Sequence, residues 1–599
     1  MSGQQGRYFA ERSIEEVDDF YDAIDRAGAG KKISPTRPYV YTTLEIYDVA
    51  NGIRGAGGLG ILAADTRRVA QDLDIPFVVL TPFYQQERHQ TAKAFIPTDY
   101  FIDRQPKDFG FQQIGTTAIH MAGSPDANLE IWEKRLGSTR FLSMTEPNFG
   151  ALYTGDASQD HRLYQMVSLG FGGYEALKIA GLKPAVMHLN ETATTFAAIA
   201  RLDELCRNGM NLYEALVYVR DRTLYTNHTL VQAAEPSYSY EQFEKFVFPN
   251  IKSPALRHFI GGLFRDDRLV LNSLMLEIAG QKNCVSKLHA KVINFHDLSG
   301  ERVDFRPITN GIHLPTWVDP AVLKFLHDND IIDRFDLPTT HFRDNLATLV
   351  TKSADVFRQL KRAGRAKLNN ELLSRHDQYG ETVQIPADAT LFEFKRRFVS
   401  YKRPWMPFAN TAKLRVILEE NNAHYIMAGM MPSGVGPGDE TFDHLQQMFH
   451  EIANDPFLRQ RVHYIADYDE KLATAMSVGG NISINVPAVG WEACGTSFMK
   501  DIANLNILIA TNDGGVADVP MGGDEGKFTD TPIHLVHGDN YDAEVNSLYA
   551  NMADAAEKMR NNQAWAGEVA RQLSAYLPTI SGARMMRDYL RFLFRTEKR

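Results

Sequence analysis

Cysteine is scarce in this 599-residue chain: Cys206, Cys284 and Cys494 are the three present, and they lie far apart. No CxxC pair occurs, which argues against a disulfide framework and against a zinc knuckle. No metal site is expected. Lysine and arginine (64) are outnumbered by aspartate and glutamate (74), for a formal net charge of −10. No basic block or stripe interrupts this balance, so nucleic acid is not an expected partner. No apolar run reaches the length of a membrane span. The opening "MSGQQGRYFAERSIEEVDDF" lacks the basic start and apolar core of a signal peptide. A cytoplasmic protein with no membrane partner is expected.

What is present is a rhythm. Short apolar runs alternate with helical periods: "IPFVVLTPF" (75–83), "AVMHLNE" (185–191), "TLYTNH" (223–228), "TLFEFKRRF" (390–398), "HYIMAGMM" (424–431), "RVHYIADY" (461–468), "NISINVP" (481–487) and "NILIATNDGG" (506–515). Buried strands alternating with helices imply βαβ units and parallel sheet. Between about Leu314 and Pro386 the chain is polar and helical with no strand signal, and reads as a junction. We expect an α/β protein with two Rossmann-like halves, 1–313 and 314–599, the second ending in a terminal amphipathic helix. Chemistry is expected at the carboxyl ends of both sheets.

Three stretches could carry that chemistry. Gly55, Gly57 and Gly60 fit G-x-G-x-x-G before a helical period. The acidic residue that a dinucleotide site wants about 20 positions later is missing, so a nicotinamide cofactor is not expected. Glycines ahead of a helix still let amides approach an anion, although a plain tight turn is the alternative. "KRRFVSYKR" (395–403) puts five cations within nine residues at a strand end. Such crowding repels unless anions intervene; a solvated charge run is the plain reading. Lys500 follows Gly495-Thr496 and sits near a helix start, where the dipole disfavours a cation. It is either a surface residue or a desolvated amine suited to an aldehyde.

Taken together, "GAGGLGILAAD", "HLNETATTF", "YTNHT", "VSKLH", "ITNGIHLPTW", "RRFVSYKR", "ADYDEKLA" and "EACGTSFMK" resemble, in order, the motifs of the α-glucan (glycogen/maltodextrin) phosphorylases of the short bacterial and archaeal type. The resemblance implies a GT-B fold, with two Rossmann-like domains facing a deep cleft, and pyridoxal 5'-phosphate as cofactor. It implies that Lys500 holds the cofactor aldehyde. Thr496, Gly495, Gly57, Gly58 and Arg396 would cradle the cofactor phosphate, with Tyr468 and Tyr401 flanking it. Arg397 and Lys402 would bind orthophosphate. Glu492, Asn310 and His228 would hold the glucosyl unit, and Glu45 and Glu191 would stand behind the cations. The implied reaction transfers a glucosyl unit from an α-1,4-glucan to orthophosphate with retention, giving glucose 1-phosphate, with the cofactor phosphate as the acid/base relay. A homodimer follows from the family alone. The chain departs from the family pattern at Ala193, Cys494 and Met430, which bears on donor and acceptor. The alternatives are a divergent phosphorylase or GT-B glycosyltransferase acting on another sugar or small acceptor, and a non-catalytic glucan-binding relative.

Overall fold

The computed structural model describes residues 33–53, 57–91, 96–152, 158–230, 235–297, 300–522 and 531–594. Gly55, residues 1–32 and the basic residues 595–599 lie outside them. The chain forms two compact units. The described residues of the first fall within Met1–Glu87, Asp103–Thr309 and Met585–Arg599, and those of the second within Arg88–Ile102 and Asn310–Arg584. Each unit is thus discontinuous along the chain, and two short segments lie apart in sequence from the rest of their unit. Residues 88–102 join the second unit because Arg88 and Gln90 bond the Met431 carbonyl and His89 bonds Asp467. The last helix from Met585 joins the first unit rather than the second. Tyr589 packs edge-on against His188 at 4.8 Å, and Gln281 bonds the Phe592 carbonyl at 3.0 Å.

The first unit is built on a nine-stranded sheet. Its strands are β1 (Tyr39–Thr43), β2 (Phe77–Pro82), β5 (Gln112–Ile119), β6 (Ala127–Leu136), β7 (Thr139–Thr145), β8 (Val186–Asn190), β9 (Thr223–Asn227), β12 (Gln281–Cys284) and β13 (Arg306–Pro307). The order is β13-β12-β9-β8-β1-β2-β7-β6-β5. Two small ribbons, β3 (Gln86–Thr91) with β4 (Thr98–Asp103) and β10 (Ser237–Ser239) with β11 (Arg268–Val270), stand apart from it. From β13 to β7 every pairing is parallel; β6 and β5 add an antiparallel edge. β1, β8 and β9 are buried at every position, as strands covered by helices on both faces must be.

The second unit holds β14 (Thr390–Lys395), β15 (Ala423–Ala428), β16 (Val462–Ile465), β17 (Ile482–Asn485), β18 (Ile507–Thr511) and β19 (His534–Val536), all parallel. Their order is β16-β15-β14-β17-β18-β19. Ranked along the chain, this reads 3-2-1-4-5-6, the doubly wound order. The parallel part of the first sheet begins the same way, with β7-β2-β1-β8-β9-β12. Each sheet therefore reverses direction once, between β1 and β8 and between β14 and β17. Crevices at such reversals, outside the carboxyl ends of the strands, are where doubly wound sheets bind ligands. Helices from Leu314 to Leu372 fill the expected junction without a strand. Among the described residues no helix is long and apolar enough to cross a membrane.

Candidate functional site

At the second reversal, β14 ends in Lys395 and hands the chain to Arg396 and Arg397, while β17 ends in Asn485 ahead of the loop to Glu492. Glu492 is held in place by its own N–H, which donates to Asp513 at 2.9 Å. Its carboxylate pairs with Arg396 and lies 3.7 Å from Lys402 Nζ. Burial pushes the Glu492 carboxyl up, but the charges of Arg396 and Lys402 outweigh it and hold it below the ordinary range. Burial, reinforced by Arg396, brings the Lys402 amine down to about 7. Burial and the nearby Glu492 push the Tyr401 hydroxyl up to about 12. Arg396 Nη1 is buried and meets no acceptor among the described residues. Arg397 is exposed.

Not every cation of the "KRRFVSYKR" run joins this cluster. Lys395 is buried and spends its charge on Glu393, at 3.0 Å, and on Asp501, which also accepts from Ser477 and Ser483. Arg403 binds the Val486 and Pro487 carbonyls and Glu544. The expectation of five cations crowding one site is thus corrected to three: Arg396, Arg397 and Lys402. The other two brace the strand ends.

Lys500 lies in the short helix Ser497–Ala503. It is 3% exposed, which excludes the solvated-surface reading. Its Nζ stands 3.2 Å from the centroid of the Trp317 ring. Aromatic faces attract an ammonium. Thr496 is buried ahead of that helix. A Cβ on Gly495 would come within 2.9 Å of Arg396 Nη2 and 3.0 Å of Glu492 Oε1, so this position tolerates no side chain while that ion pair stands. Asn310 donates to the Cys494 carbonyl at 3.0 Å, and its Oδ1 is buried with no donor among the described residues. Tyr468 is half-buried and donates to the Lys395 carbonyl at 3.4 Å.

The first reversal is built differently. Thr43, the last residue of β1, pairs in register with Asn190, the last of β8. Glu191 follows with φ of +74°, a left-handed backbone rare outside glycine. It accepts from Thr192 N–H at 3.1 Å and from His228 N–H at 2.8 Å. His228 Nε2 bonds Asn190 Oδ1 at 2.8 Å. Burial, with help from the charge of His289, lowers the His228 imidazole to about 3, so it stays neutral. Gly57 N–H donates to Glu45 at 3.1 Å, whereas the space above Gly58 is open.

Sequence reasoning missed Glu235. Burial and the neighbouring Glu191 raise its carboxyl to about 8, and its Oε1 is buried without a partner among the described residues. A lone acid among the small residues of "VQAAEPSY" was the available signal.

The model of the carbohydrate phosphorylase family matches residues 265–582, more than half the chain. The chain belongs to the carbohydrate phosphorylase family. It is accordingly an enzyme of glycosyltransferase type. The family match takes in Asn310, Arg396, Arg397, Lys402, Glu492 and Lys500 and stops short of Gly57, Gly58 and His228. A maltodextrin phosphorylase of Thermococcus litoralis is 24% identical over 92% of this chain and 70% of its own. A glycogen phosphorylase of Mycobacterium bovis is 26% identical over 95% of this phosphorylase and 72% of its own length. A third relative, a glycogen phosphorylase of Aquifex aeolicus, is 25% identical over 89% and 83% respectively.

Carbohydrate phosphorylases generally use pyridoxal phosphate. The residues of this one fit such a group on three counts. A lysine is buried against an aromatic face. A buried guanidinium nitrogen awaits an acceptor. A glycine keeps the ion pair beside it clear of side chains. Among the described residues no cluster could hold a metal ion.

Proposed function

We propose that this chain is a pyridoxal-phosphate-dependent α-glucan phosphorylase, transferring a glucosyl unit from an α-1,4-glucan to orthophosphate to give glucose 1-phosphate. The observation that carries the reading is the imbalance at the second reversal. Three cations surround one carboxylate, with a buried lysine on the neighbouring helix. Unpaired buried positive charge is costly, and phosphoryl groups would relieve it.

In this reading Lys500 holds the cofactor aldehyde. Arg396 Nη1, Thr496 and the amides of Gly57, Gly58 and Gly495 take the cofactor phosphate; at Gly57 an anion competes with Glu45. When bound, the cofactor supplies a phosphate able to pass a proton to and from the reacting phosphate. Arg397 and Lys402 bind orthophosphate, and a Lys402 amine near pH 7 is easily charged by an arriving anion. Glu492 accepts from a sugar hydroxyl, and Asn310 Oδ1 is a second acceptor in want of a donor. Neutral His228, oriented by Glu191 and Asn190, offers its ring as a hydrogen-bonding group rather than as a charge. The GT-B arrangement, a homodimer and a cytoplasmic site of action belong to the same proposal. The departures at Ala193, Cys494 and Met430 leave a different sugar donor as the second reading.

The test is direct. Purified protein incubated with maltodextrin and orthophosphate should release glucose 1-phosphate with retained anomeric configuration. Protein that carries pyridoxal phosphate yet yields no sugar phosphate from any α-1,4-glucan would refute the substrate assignment.

A further inference from the structure

The second unit contains a cavity of about 140 Å3 that the phosphorylase chemistry leaves unused. Its wall includes Asp388 and Thr390 at the start of β14, Asn421 just ahead of β15 and Asn481 just ahead of β17. It therefore sits at the amino ends of the strands whose carboxyl ends lead to Arg396 and Glu492. Six residues of β14 at about 3.3 Å each put roughly 20 Å between the two ends.

Five cations line this cavity, Arg358, Lys361, Arg362, Arg365 and Arg560, and Asp388 is the one carboxylate among the lining residues. Lys361 and Arg365 are buried and donate to neutral oxygens: Lys361 to the Ser477, Val478 and Asn504 carbonyls, Arg365 to the Gly479, Pro386 and Ala389 carbonyls. Burial lowers the Lys361 amine to about 7, and the nearby Glu393 offsets part of the charge of both side chains. Arg362 is exposed and pairs with Asp388, and exposed Arg560 donates to the Glu420 carbonyl and Asn421.

A second observation is independent of charge. Trp565 is 1% exposed and lines the cavity, and its indole N–H meets no acceptor among the described residues. The Arg358 guanidinium lies 5.5 Å over its ring. Buried donors without acceptors are rare in folded proteins because the lost hydrogen bond to water goes unreplaced.

We propose that this cavity is a binding site for a compact phosphoanion, separate from the catalytic end of the sheet. Phosphoryl oxygens would bring negative charge to a cavity lined by five basic side chains and one carboxylate, beside a buried indole donor. The volume suits orthophosphate or another small phosphorylated molecule rather than a long polyanion.

Calorimetric titration of the full chain with inorganic pyrophosphate tests this in the Arg397→Ala background, which weakens the catalytic end. Saturable binding should persist there and weaken about tenfold or more when Arg362→Glu and Arg560→Glu are added, since two reversed charges then face the anion. Both added positions are exposed, and circular dichroism confirms folding. Binding unchanged by the two reversals overturns the proposal. So does equal binding of sulfate and pyrophosphate at matched ionic strength, which marks an unselective basic surface. Parallel titrations with orthophosphate and glucose 1-phosphate identify the source: tighter orthophosphate points to the free anion, and tighter glucose 1-phosphate to a sugar-borne phosphoryl group.

Discussion

The two sheet reversals share a strand order and differ in chemistry. The one between β14 and β17 gathers Arg396, Arg397 and Lys402 around Glu492, beside a buried lysine. The one between β1 and β8 sets Glu191, with Glu235 beside it, against a neutral histidine, and Glu45 accepts there from the Gly57 amide. One fold feature supplies two crevices, and the residues at the strand ends decide what each can bind. The cationic end suits phosphoryl groups. The end of carboxyls and amides suits hydroxyls, which hydrogen-bond without a charge partner. Backbone topology thus says where to look, and only side chains say for what.

Several substitutions break or sharpen that contrast. The largest effect is expected from Lys500→Ala, which should cut turnover by about 10⁴-fold, roughly 5.5 kcal/mol of barrier, and abolish cofactor absorbance. Residual activity within tenfold of wild type would detach the lysine from the chemistry. Arg396→Ala leaves Glu492 buried with Lys402 as its remaining paired cation. Breaking a buried pair costs about 3–5 kcal/mol, so a fall of some 10²–10³-fold in kcat/KM together with a lower Tm is expected. Gly495→Ala drives a methyl group into the same pair and should cost about 1–3 kcal/mol, read as a lower Tm and a weaker affinity for orthophosphate.

On the first unit the expected effect is smaller and depends on pH. The Glu235 carboxyl is raised to about 8 by burial and Glu191. A folded value above the unfolded one means that the contribution is fully present below the ordinary carboxyl range and is lost progressively as pH rises from there through about 8. Glu235→Gln mimics the protonated form. Its Tm should match wild type at pH 5 and exceed it at pH 9; equal melting at both would remove Glu235 from the buried acid pair. The smallest effect is expected from Cys494→Ser. The buried thiol is pushed far above its usual range by burial and Asp518, which disfavours the reactive thiolate, and activity should stay within about twofold.

How much of this was legible in the sequence follows from the physics of each element. Strands such as β15 and β18, buried on both faces, are continuous apolar runs and announce themselves. The edge strand β5 and its neighbour β6 do not. They mix exposed, half-buried and buried positions, and "NLEIWEKRL" reads as polar sequence until its neighbour is known. Charge placement was the hardest to read. Lys395 and Arg403 resemble their neighbours in the "KRRFVSYKR" run, yet their partners Asp501 and Glu544 lie more than a hundred residues away. The burial of Lys500 depends on Trp317, equally remote, although "ITNGIHLPTW" had marked that tryptophan. The helix that ends the chain is amphipathic in sequence, but nothing local says that His188 is the ring it packs on.

The claim on which the rest depends is that the lysine buried beneath Trp317 carries the cofactor. Borohydride reduction of the purified protein, followed by peptide mapping, reads this out without any assay of turnover. The account predicts one pyridoxyl group on the peptide containing Lys500. Its appearance on a different lysine, or a protein that yields no pyridoxyl peptide after reconstitution with pyridoxal phosphate, would contradict it.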